Sequence, residues 1–200
     1  DELLRDAFRD GWDRCPPPLR EALKVAEGTY QKALYTELHP AAVAVLYAGA
    51  LERGLYQLLV QPFDRTLDAQ ARAQFLQGAV REVRGSRVEY SDRFVEAFDP
   101  ERKARAPSLG EIARAIARRG EPQLRPFGRF LAARFALPEA FFDALATEVL
   151  LAKEQLRDPV AHGRALELPQ AELTRFRRVL LFGFPHADTG ALPALVRAQR

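Results

Sequence analysis

A single cysteine, Cys15, stands in the whole chain, so no internal disulfide can form and no cysteine-based metal site can be built. Such sparing use of cysteine fits a reducing, cytoplasmic setting. Serine is almost as scarce and occurs only at positions 86, 91 and 108. There is no Gly-x-Ser-x-Gly elbow, no Walker-type phosphate loop and no His-Glu-x-x-His pair, which excludes the common serine hydrolases, P-loop NTPases and zinc proteases. The three histidines, His39, His162 and His186, lie far apart in sequence, and no metal or cofactor is expected. Lysine is confined to positions 24, 32, 103 and 153; every other cationic side chain is arginine. Arginine-rich usage follows genome composition in many proteins, but it also suits bidentate phosphate contact. A formal net charge of +3 permits RNA binding without demanding it. No run of about 18 or more uncharged apolar residues occurs, which predicts no transmembrane helix and no membrane partner. The start lacks the pattern of a signal peptide. The chain opens on Asp1 rather than Met, which leaves room for a preceding segment.

What is present is apolar periodicity. The 200 residues are 48% hydrophobic, enough for one domain with a sizeable core. Residues 1–14 read as a short amphipathic helix through Leu3, Leu4, Ala7, Phe8 and Trp12, broken by Pro16-Pro17-Pro18. Residues 19–38 read as a second helix, ended at His39-Pro40. The most apolar helix follows over 40–60, with only Glu52 and Arg53 charging its middle. Further helices are expected over 66–84, 123–136, 139–157 and 169–182. Ser108-Leu109-Gly110-Glu111 is a capping box that opens another, running to Arg119. Arg87–Tyr90 fits a short strand or an extended loop, but no convincing pair of strands is visible. The charged stretch 101–105 reads as a solvated loop. These patterns predict an all-α bundle, with residues 1–38 as an N-terminal helical extension or arm, 39–183 as the bundle and 184–200 as a C-terminal tail.

One stretch gathers reactive side chains. Leu156-Arg157-Asp158-Pro159-Val160-Ala161-His162-Gly163 places an Arg, an Asp and a His within six residues, and no other part of the chain does so. Pro159 must end or kink the preceding helix near Asp158. A histidine with a pKa near about 6.5 exchanges protons at neutral pH. It can deprotonate a ribose 2′-hydroxyl or protonate a leaving 5′-oxygen. Arginine can hold the phosphate and stabilise charge building on its oxygens. A short polar residue beside the arginine can orient the pair.

This stretch resembles the R-(N/D/H)-x-x-x-H motif of HEPN domains, small helical bundles many of which are metal-independent ribonucleases. Ala50-Leu51-Glu52-Arg53-Gly54-Leu55 is similar to the centre of the first long helix in many of them, and Ser108-Leu109-Gly110-Glu111 to the start of a middle helix. The resemblance is best over about residues 108–182 and fainter back to about residue 40. It implies a HEPN-like bundle with additional N-terminal helices, in which Arg157 and His162 are catalytic and Asp158 takes the polar position. Asn is the more usual residue there, and Asp brings a negative charge close to the phosphate. Arg164 is implied as an added phosphate contact.

One histidine per chain cannot easily act as both base and acid, and the resemblance implies a homodimer in which two motifs face each other. The implied activity is endonucleolytic cleavage of single-stranded RNA by 2′-hydroxyl attack, without metal, in a defence or toxin–antitoxin setting, with room for an antitoxin or sensor-domain partner. The expected ends are a 2′,3′-cyclic phosphate and a 5′-hydroxyl. Two other readings stand beside it. One is a non-catalytic helical module that binds a protein or nucleotide. The other is the effector part of a larger CRISPR-associated or stress-sensing protein. The simplest alternative for the motif itself is that His162 caps a helix and Arg157 pairs with an acidic side chain. The basic faces around Arg129, Arg134, Arg175, Arg177 and Arg178 read as solvated; Arg175 and Arg178 are the candidates there for RNA backbone contact. The phenylalanine-rich helices read as core.

Overall fold

A computed structural model describes residues 2–84, 87–102, 106–158 and 168–200, with backbone only for 81–84 and 87–88. The described residues are mostly helical, as the apolar periodicity requires. Helix α1 (Glu2–Phe8) runs into a 3₁₀ turn and is followed by α2 (Pro17–Ala33), which starts with Pro17 in its first turn. Leu19, Leu23, Ala26 and Tyr30 of α2 recur at intervals of four and three and are buried. The next helix, α3 (Pro40–Leu55), is capped by His39, whose Nδ1 accepts the Ala41 N–H at 3.2 Å. It is apolar on nearly every side, and packs on α2 and on three segments that come later in the chain.

Helix α3 continues through a π turn (Tyr56–Val60) into α4 (Gln61–Thr66). The cause lies in Pro62. It lacks the N–H that would bond the Leu58 carbonyl, and its ring crowds that carbonyl. The Gln61 N–H instead bonds five residues back, to the Tyr56 carbonyl. By length and composition Pro40–Thr66 could cross a membrane, but most of it is already buried among other helices, as in a core helix.

Phe63 of α4 enters the core as its aromatic hub. It lies edge-on or tilted to Phe75, Phe98, Phe127 and Phe130, with centroids 5.2–5.5 Å apart. These rings come from α5 (Ala69–Gln77), the segment after α6 (Arg93–Glu96), and α8 (Arg125–Arg134). These phenylalanines belong to the core or pack against it, as expected.

The helix expected over 66–84 is shorter than its periodicity suggested. It stops at Gln77, and Val80–Arg84 forms β1, paired antiparallel with β2 (Arg87–Tyr90). The register sets Val80 opposite Tyr90 and Val83 opposite Val88, with a bulge between Val80 and Glu82. Gly78 ends the helix, and the valine-rich stretch that follows suits extended backbone. The capping box of α7 (Leu109–Ala117) is formed, Glu111 accepting the Ser108 N–H at 2.7 Å.

The terminal stretches join the same core. Leu4, Phe8, Trp12 and Cys15 are buried at one end of the chain. At the other, α11 (Ala191–Arg197) follows α10 (Gln170–Leu181) and has every residue from Ala191 to Val196 buried. Thr189 donates to the Ala7 carbonyl at 3.0 Å, tying the two ends together. Pro185, Gly190 and Pro193, which made 184–200 read as a tail, shape a tight approach instead. A Cβ on Gly190 would lie 2.2 Å from the Leu181 backbone.

Two glycine substitutions should therefore diverge. Gly190→Ala is expected to lower stability by roughly 2–3 kcal/mol, because backbone must move. Gly49→Ala, with nothing within 4 Å of the new methyl group, should be neutral or stabilise α3 by about 0.5–1 kcal/mol. Urea denaturation of both variants measures this; equal effects would contradict the packing at Gly190.

Candidate functional site: the end of helix α9

Helix α9 (Glu139–Ala152) buries Phe141, Phe142, Leu145, Ala146, Val149 and Ala152, then passes into a second π turn, Lys153–Arg157. The arrangement repeats that before Pro62. Asp158 precedes Pro159 in the sequence, and its N–H bonds five residues back, to the Lys153 carbonyl. The same turn brings the two side chains together: Lys153 Nζ lies 2.5 Å from Asp158 Oδ2. In an α-helix, with 3.6 residues per turn, residues five apart face different directions. The ion pair depends on the π turn.

Arg157 points to α3. Its Nη2 is 3.7 Å from Glu52 Oε2, and both side chains are about a third exposed. Glu52 also accepts the Leu109 N–H at 3.1 Å, which satisfies an otherwise unpaired donor at the start of α7. The adjacent Gly110 leaves room for the Lys153 stem: a Cβ there would lie 2.8 Å from Lys153 Cδ. Glu52, Leu109, Gly110, Lys153, Arg157 and Asp158 thus form one polar cluster where α3, α7 and α9 meet.

His162 and Arg164 lie outside the described residues. Arg175 of α10 is held by Glu148 of α9, with Nη2 at 2.7 and 2.9 Å from its two carboxylate oxygens. Arg178 is exposed and forms no ion pair with another described residue. No group of three or more His, Cys, Asp or Glu side chains able to hold a metal occurs among the described residues. An open cleft of about 530 Å³ lies at the opposite end of α9, beside Glu139 and Asp143. Its Arg119 is engaged with Asp143 at 2.6 Å.

Arg177, expected on a solvated face, is instead part of a buried network. Its Nε and Nη2 donate to Glu27 of α2 at 2.9 and 2.6 Å. Tyr47 of α3 donates to the same carboxylate at 2.5 Å, and Gln31 at 2.8 Å. The guanidinium also lies over Tyr30, 4.5 Å from the ring centroid. Burial works against the Glu27 carboxylate, but the hydrogen bonds from Arg177, Tyr47 and Gln31 and the charge of Arg177 outweigh it. The group therefore titrates below its ordinary value of 4.5. Burial, then the bond to Glu27, pushes the Tyr47 hydroxyl well above its usual range.

Sequence reasoning did not find Lys153 or this network. The first pair is five residues apart, outside helical spacing, and Glu27 and Arg177 are 150 apart. Glu52 did carry a signal, as an acid in the middle of an apolar helix.

No protein-family model, curated protein or solved structure matches the chain.

Glu27 gives a pH-dependent test. A carboxyl whose pKa is lowered by folding contributes stability above its unfolded value, and loses it as pH falls through the folded one. Glu27→Gln is expected to cost on the order of 3 kcal/mol at pH 7. The gap to wild type should shrink as pH drops below about 4.5. Urea melts at pH 7 and pH 3.5 measure it; a gap independent of pH would contradict the assignment.

Proposed function

We propose that the chain is a HEPN-type ribonuclease, a metal-independent endoribonuclease that acts on single-stranded RNA as a homodimer, in a defence or toxin–antitoxin setting. The observation that carries this reading is the convergence at Glu52. The three stretches that resemble HEPN domains, around residues 50–55, 108–111 and 156–163, are distant in sequence. Glu52 of the first contacts Leu109 of the second and Arg157 of the third.

In this reaction a ribose 2′-oxygen attacks the adjacent phosphorus, and the bond from phosphorus to the 5′-oxygen breaks. His162 of one protomer takes the 2′-hydroxyl proton and His162 of the other gives a proton to the leaving oxygen. Arg157 stabilises the charge on the phosphoryl oxygens. With its side chain about a third exposed and a single contact of 3.7 Å to one carboxylate oxygen, it can exchange Glu52 for phosphate without unpacking the core. Asp158 takes the polar position in a chain that contains no asparagine at all. Arg178 is a candidate phosphate contact with no acidic partner among the described residues, and Arg164 is a second. Arg175 would first have to leave Glu148.

A second reading has its own support. Arg157 and Arg175 both sit in ion pairs, and Tyr35, 86% exposed, stands with Leu34 and Leu38 between α2 and α3. Neighbouring exposed apolar residues of that kind could contribute to an interaction surface. They suit a non-catalytic module that binds a protein or nucleotide, or the effector part of a larger CRISPR-associated or stress-sensing protein.

Incubation with labelled single-stranded RNA in excess EDTA separates the two. The ribonuclease reading predicts cleavage that leaves cyclic phosphate ends and is abolished by His162→Ala. RNA left intact by the wild-type protein, or cut equally by both proteins, would reject it.

A further inference from the structure

We propose that Lys153 is a positioning residue of the motif, cancelling the charge of Asp158 so that phosphate can approach Arg157. This rests on the ribonuclease reading. A carboxylate next to the phosphate-binding arginine opposes an anionic substrate, and a neutral amide at that position would not. Lys153 answers the problem from the preceding turn. Its ammonium lies 2.5 Å from Asp158 Oδ2, with both side chains less than a third exposed.

Two features hold it there. The π turn aligns residues five apart, the Asp158 N–H bonding the Lys153 carbonyl while the side chains pair beside it. The lysine stem also lies against Gly110, where any larger residue would meet it. The charges at the site then alternate. Glu52 faces Arg157, and Lys153 faces Asp158. When phosphate displaces Glu52 from Arg157, Asp158 stays neutralised. Lys153 acts through Asp158 and does not touch the reacting atoms.

The test is a cycle of variants, read by kcat/KM on labelled single-stranded RNA and by affinity for the same RNA carrying 2′-O-methyl groups, which cannot be cleaved. Lys153→Met is expected to lower both by about tenfold, with little change in melting temperature. Lys153→Arg should retain most of the activity. Adding Asp158→Asn to Lys153→Met should restore both quantities, because no charge is left to cancel; a purely structural role for Lys153 would not be rescued this way. Lys153→Met that matches wild type, or a double variant as poor as Lys153→Met alone, overturns the role of Lys153 while wild-type cleavage through His162 keeps the ribonuclease reading. Wild-type protein that neither binds nor cleaves RNA overturns that reading and this role with it.

Discussion

Glu52 is the only acidic residue in a helix that is otherwise buried on most of its surface, and the arrangement around the motif depends on it. A carboxylate at such a place needs partners. It finds one in the unpaired Leu109 N–H at the start of α7 and another in Arg157 at the end of α9. One side chain therefore touches all three elements and helps to direct the arginine. Burial of the apolar neighbours, Leu51, Leu55 and Ala50, fixes α3 in the bundle and leaves Glu52 at its edge, part-exposed. That edge is where an anionic ligand could compete for the arginine.

The second constraint is proline. Pro62 and Pro159 each follow a π turn by two residues, and in both cases the residue just before the proline donates five residues back. A helix that meets a proline must lose an α-type bond, and widening one turn recovers a partner for the carbonyls nearby. In the first case the rotated helix carries Phe63 into the cluster of rings. In the second it joins Lys153 to Asp158. The same local device serves packing in one helix and electrostatics in the other.

Much of the helical framework was legible in the sequence because each signal was local. Ser108 and Glu111 are three apart and form the capping box. Phe141, Leu145, Val149 and Ala152 keep helical spacing and are buried. The hairpin was not legible, because Val80 and Val83 fit a helical stripe as well as a strand, and the choice is made by pairing with Arg87–Tyr90. Helix α11 was hidden by the prolines and glycine around it, and its burial depends on contacts with the opposite end of the chain. At the candidate site, Arg157 and Asp158 stood out by residue type. Their partners did not, since the Arg157–Glu52 contact is made across the fold and the Lys153–Asp158 pair has a spacing that only a π turn permits.

On the proposed ribonuclease reading, Glu52 and Arg157 act as one unit in binding phosphate. A double-mutant cycle on RNA cleavage tests it most directly, with Glu52→Gln, Arg157→Gln and the pair compared by kcat/KM. Strong non-additivity is expected: once Arg157 is replaced, Glu52→Gln changes nothing further. Two independent losses that simply add in free energy would contradict it.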